Sequence, residues 1–138
     1  MTLNEVARTL PNGFHDCVVH KINLDYSKHE IKFSVAVWVG DPGATDHPTR
    51  ETYRMGQLTL TPVAFFVIEP PDPTYPYCEK DQIVIDTDEV KSLRKPPSVQ
   101  LPPVPDGMFL NWIYVRQWNS FIYVAAQKAE LVWDSGDK

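Results

Sequence analysis

The chain has 138 residues, 43% of them hydrophobic and 22% charged, a balance that suits a single folded domain over residues 1–138 and is unlike that of a disordered chain. Thirteen Lys and Arg against eighteen Asp and Glu leave a net charge of −5, which disfavours a nucleic-acid backbone as partner and favours a basic surface. The longest unbroken apolar run, Val63 to Ile68, falls far short of the ~18 residues that span a bilayer, and no apolar stretch of signal-peptide type opens the sequence, so a cytoplasmic protein without membrane association is expected.

Thr2 followed three residues later by Glu5 has the spacing of a capping box, and Leu3, Val6, Ala7 and Leu10 share one helical face, which predicts a short helix within Met1–Leu10. Pro11-Asn12-Gly13 ends it. From Cys17 the period becomes two. Cys17–Asp25 and Glu30–Val39, parted by Tyr26-Ser27-Lys28-His29, predict a hairpin in which Leu24 faces Ile31, Ile22 faces Phe33, His20 faces Val35 and Val18 faces Val37. In that register one face is apolar except for His20. The other carries Asp25, Asn23, Lys21 and their partners, as in a half-solvated sheet.

Gly40–Arg50 lacks periodicity and reads as a loop. Leu58–Ile68 reads as a strand, with Pro62 confined to an edge or a bulge where the inward face switches. The run Pro70 to Tyr77 must be extended or turning, Gln82–Ile85 predicts a short strand, and Asp86–Arg94 predicts a helical turn capped by Thr87 or Asp88. A second proline-rich connection runs from Pro96 to Pro105. The last third predicts another hairpin, Met108–Trp118 and Phe121–Trp133 around Asn119-Ser120, with Trp118 facing Phe121 and Ile113 facing Ala126. Its core face holds Ile113, Val115, Ile122 and Val124. Its second face gathers Trp112, Tyr114, Arg116, Trp118, Phe121 and Tyr123. These elements predict a mainly β fold: about six antiparallel strands in a sandwich or a partly open barrel, with a short N-terminal helix.

The motifs that carry common chemistries are absent, namely G-x-S-x-G, the phosphate-binding loop and G-x-G-x-x-G. Cys17 and Cys78 read as free thiols rather than a disulfide framework. The run His15-Asp16-Cys17 with His20 offers metal-ligating atoms, but on a strand at most two would converge, so neither a metal nor a cofactor is expected. His15 beside Asp16 forms a base with an orienting carboxylate only if the chain turns there. Otherwise the pair ties the turn to the sheet.

Two surfaces suit a partner. The stiff segment that holds Glu69, Asp72 and Tyr75 displays carboxylates and a phenol at low ordering cost, unless it simply covers a sheet edge. The aromatic face with Trp112, Tyr114, Arg116, Trp118 and Tyr123 has the side chains that dominate binding hot spots, unless it is core beneath the proline segments.

The runs Leu10-Pro11-Asn12-Gly13-Phe14-His15-Asp16-Cys17, Val37-Trp38-Val39-Gly40-Asp41, Phe65-Phe66-Val67-Ile68-Glu69-Pro70-Pro71 and Trp118 to Ala126 together resemble a group of small uncharacterised bacterial proteins. The opening before the first strand also resembles β-rich immunity proteins of bacterial toxin systems. The first resemblance brings no catalytic residues. The second implies an acidic cytoplasmic domain that binds a toxin's active surface. The leading expectation is therefore a non-enzymatic protein-binding domain of immunity-like kind. The alternatives are an enzyme or carrier of small ligands that uses His15, Asp16 and Glu69 at a sheet rim, and a self-associating subunit.

Overall fold

A computed structural model describes residues 1–134. Six strands, all paired antiparallel, close into a barrel: β1 (Cys17–Asp25), β2 (Glu30–Trp38), β3 (Tyr53–Ile68), β4 (Ile83–Glu89), β5 (Phe109–Val115) and β6 (Ser120–Trp133), in the order β1-β2-β3-β6-β5-β4. The architecture is thus mainly β and a barrel; the expected alternative of a sandwich does not form, because β4 returns to pair with β1 and joins the two ends of the sheet.

Helix α1 (Leu3–Arg8) carries the expected capping box, with the Thr2 hydroxyl accepting from Glu5 N and the Glu5 carboxylate accepting from Thr2 N. Its apolar face, Leu3 and Val6, joins the barrel core together with Phe14. The helix is tied to the end of the barrel by Asn4, which donates to Asp88 Oδ1, and by Met1 O, which accepts from Ala129 N. Inside the barrel Asn111 donates to Asn4 Oδ1 and Thr87 Oγ1, so a polar bridge links helix, β4 and β5.

The first hairpin follows the expected register from Asp25↔Glu30 to Lys21↔Ser34 and then departs from it. His20 is an extra residue in a bulge, Val19 pairs with Val35, and Val18 pairs with Ala36. The expected placement of His20 on the core face is corrected accordingly: the bulge turns His20 out to solvent and brings Cys17 and Val19 inward instead. On β2 the inward residues Ile31, Phe33, Val35 and Val37 are all at most 1% exposed.

Strand β3 outlasts β2, whose last partner is Leu60, so Pro62 lies on a stretch paired with β6 alone. The Thr61–Pro62 bond is cis. The inward positions run Leu58 and Leu60 before this proline and Val63 and Phe66 after it, while β6 switches with it from Ala129 to Ala126 and Val124. The expected switch at Pro62 is observed.

Two further expectations are corrected. Asp86–Glu89 is strand rather than helix, because Thr87 spends its hydroxyl across the sheet on Trp112 O instead of on a cap; a single 3-10 turn, Val90–Ser92, follows. The Gly40–Arg50 loop contains a helical turn, α2 (His47–Arg50), capped by Asp46. Gly40 sits so close to it that a Cβ there would stand 2.1 Å from Arg50 O.

In the second hairpin the faces are as expected but the register is displaced: Tyr114 pairs with Phe121 and Ile113 with Ile122. Arg116–Trp118 forms a 3-10 turn that ends at Asn119 in the left-handed conformation (φ 44°), so Trp118 leaves the ladder it was expected to join.

Candidate functional site

Antiparallel order places the connections 69–82 and 116–119 at the end of the barrel opposite α1, because both follow strands that run away from it. These connections are hydrogen-bonded to one another. Glu69 N donates to Phe121 O and Glu69 Oε1 accepts from Phe121 N at 3.1 Å, which extends the β3–β6 ladder through a side chain. Asp72 N donates to Trp118 O at 2.8 Å, and Asp72 Oδ2 accepts from Asn119 Nδ2 at 3.0 Å. The second carboxylate oxygen of Asp72 accepts from both the amide and the hydroxyl of Thr74, and these bonds hold the Asp72 carboxyl below its ordinary pKa. The outcome is a loop fixed at its start, with Tyr75 46% exposed and Tyr77 90% exposed.

Beneath this loop runs the aromatic stripe. Trp112 meets Phe121 edge to face at 5.8 Å, Tyr114 lies 5.3 Å from Phe121, and Phe121 stacks on Tyr123 at 5.9 Å. Each polar handle has an internal partner: Trp112 Nε1 donates to Ser92 Oγ, Tyr114 OH to Asn119 Oδ1 and Tyr123 OH to Glu69 Oε2. Ser98, from the second proline-rich connection, donates to the same Glu69 oxygen. Tyr123 is 1% exposed, and burial first, then the Glu69 carboxylate, pushes its phenol up to about 12. Burial also raises Tyr114. Tyr123 is thus buried against Glu69, which Ser98 also holds, and Trp112 and Tyr114 are half-buried with their polar atoms held by Ser92 and Asn119, while Arg116 and Tyr75 stand exposed and Trp118 is half-buried against the core.

The second expected cluster does assemble in part. Cys17 pairs with Ile85, and Ile85 with Val115, so their neighbours Asp16, Asp86 and Arg116 gather on one side of the barrel. The chain turns before β1, with Asp16 at φ 55°, and this turn lets adjacent His15 and Asp16 approach each other, as a regular strand would not. His15 Nδ1 lies 2.8 Å from Asp86 Oδ2, His15 Nε2 lies 3.5 Å from Asp16 Oδ2, and Arg116 pairs with Asp16. The His15 ring also stands 6.2 Å from that of Trp38. Glu69 belongs to the other cluster, bonded to Phe121, Tyr123 and Ser98, so the three residues of the small-ligand alternative do not share a partner. Cys17 is buried beneath this group, and burial pushes its thiol up to about 12, which keeps it protonated and unreactive. Among the described residues no group of three or more His, Cys, Asp or Glu is placed to hold a metal ion. Among the described residues no helix is long and apolar enough to cross a membrane.

Sequence reasoning missed Asp86, Asn119 and Gln117. Asp86 is 71 residues from His15, a distance no local pattern bridges. Asn119 was legible as a turn residue, since Asn tolerates the left-handed region, but not as the anchor of a loop 47 residues away.

No family model, curated protein or solved structure matches this chain. The resemblances noted above therefore rest on the residues that carry them.

Proposed function

We propose that the chain is a non-enzymatic protein-binding domain whose contact surface joins the Arg116–Trp118 turn to the Glu69–Tyr77 loop. The observation that carries this reading is the set of bonds from Glu69 and Asp72 to Phe121, Trp118 and Asn119, which fixes the loop while leaving Tyr75 and Tyr77 turned to solvent. A loop anchored at its start before association loses less backbone freedom on binding, and so more of the contact energy remains as affinity. The charge of −5 supports a basic protein partner, immunity towards a toxin being one form of that reading.

Affinity capture from cell extract with the wild-type chain and with Arg116→Ala/Trp118→Ala and Tyr77→Ala variants tests it. The proposal expects a saturable partner that both variants lose while their circular dichroism is retained. Tyr77→Ala guards against a folding defect, since that side chain is almost fully solvated. Capture that is equal for all three proteins, or no saturable partner at all, overturns it.

A further inference from the structure

Between the anchored loop and the Trp118 turn lies a cleft of about 310 Å³, with Tyr75, Pro76, Tyr77 and Trp118 on its walls and Glu79 and Asp81 at its rim. We infer that this cleft takes an extended, proline-containing peptide segment with an adjacent Arg or Lys, presented by the partner protein. The inference rests on the binding reading above and specifies its occupant.

Three observations lead to this chemistry. The first is size: a cleft of this volume accommodates a few side chains of an unfolded segment, whereas a globular partner of standard size covers roughly 800 Å² per side. The second is the character of its walls. Two tyrosines, a tryptophan and a proline offer flat faces with few rotatable bonds, against which a pyrrolidine ring packs without leaving an amide N–H unpaired. An extended proline-rich ligand also arrives with little conformational entropy to lose.

The third is polarity. Glu79 and Asp81 are exposed at the rim, and neither Lys nor Arg lines the cleft, so a cation on the ligand meets carboxylates there. On the cleft wall Gln117 Oε1 accepts from Val84 N at 2.8 Å, which orients the side-chain amide and leaves its Nε2 donor pair for a ligand. Donors suit the backbone carbonyls of a proline-rich segment, which outnumber its N–H groups.

Isothermal titration calorimetry of the full chain with three synthetic peptides tests the inference: a proline-rich peptide flanked by arginine, the same peptide with glutamate for arginine, and the same with alanine for proline. The first is expected to bind, and the other two to bind at least about ten-fold more weakly. Tyr77→Ala, and separately Glu79→Lys/Asp81→Lys, should each weaken the first peptide about ten-fold, the charge reversal alone reducing the salt dependence. All these side chains are exposed, so folding is not at stake. Alkylation of Cys78 with a bulky maleimide should block the cleft, because this exposed thiol lies on its lining. No binding of the first peptide, or equal binding of all three, overturns the inference. If partner capture nevertheless depends on Tyr77, only the occupant is wrong; if capture is also indifferent to Tyr77, the binding reading falls with it.

Discussion

Asp72 accepts a 3.0 Å hydrogen bond from the side-chain amide of Asn119, which joins the loop after β3 to the turn between β5 and β6. The same carboxylate accepts from the Thr74 amide and hydroxyl, and these bonds, together with that from Asn119, are what lower its pKa. One ionised side chain thus shapes the loop and shares in its attachment with the backbone bond from Asp72 N to Trp118 O and the bonds of Glu69 to Phe121.

Acid should therefore loosen the link between this loop and the Asn119 turn. The folded pKa of Asp72 lies below its ordinary value of 3.8, so the stabilisation is fully present above that value and is lost as pH falls through the lowered folded pKa. Amide resonances of Thr74 and Asn119 followed by NMR should shift together in that window. In Asp72→Asn, which is neutral at every pH, their shared titration should vanish. Independent movement of the two signals would show that the anchor is not a single carboxylate.

Core and bulge positions in the first hairpin should separate clearly in unfolding experiments. Phe33, 1% exposed inside the barrel, should cost about 3–5 kcal/mol on substitution by Ala. His20→Ala should stay within about 0.5 kcal/mol, since the bulge holds that side chain in solvent. Urea midpoints of the two variants measure this directly. A large loss for His20→Ala would mean that the regular register without the bulge is the true one.

The two cysteines should differ in reactivity by burial alone. Cys78 is exposed and should react with a thiol reagent in the native protein, whereas Cys17, buried and raised to about 12, should react only after unfolding. Titration with a chromogenic disulfide at neutral pH, with and without denaturant, counts them.

The faces of the second hairpin were legible because side-chain alternation survives any displacement by an even number of residues, whereas in the first the one-residue bulge exchanged the faces of Cys17 to Val19. Register was less legible. In the first hairpin the only trace of the bulge was a histidine on an otherwise apolar face, and that histidine proved to be the extra residue. In the second, Arg116, Gln117 and Trp118 look like strand continuation, yet they form the turn, which moved every pair by the same amount without exchanging the faces. Barrel closure was not legible, since it depends on β1 meeting β4 more than fifty residues on, and no local pattern encodes that meeting. The same holds for the site. The proline segments were readable as stiff, but what they rest on was decided by hydrogen bonds from Glu69, Asp72 and Ser98 to distant elements.

The β1–β4 pairing that closes the barrel has a mechanical meaning. It comprises only Cys17↔Ile85, Val18↔Val84 and Val19↔Ile83, while β3 and β6 share a ladder several times longer. The hoop is thus shut by a short clasp, and the pairs His15–Asp86 and Arg116–Asp16 sit at its outer side like a safety catch. Local opening is therefore expected first at this clasp, where the fewest ladder pairs must part to turn the closed barrel into an open six-stranded sheet.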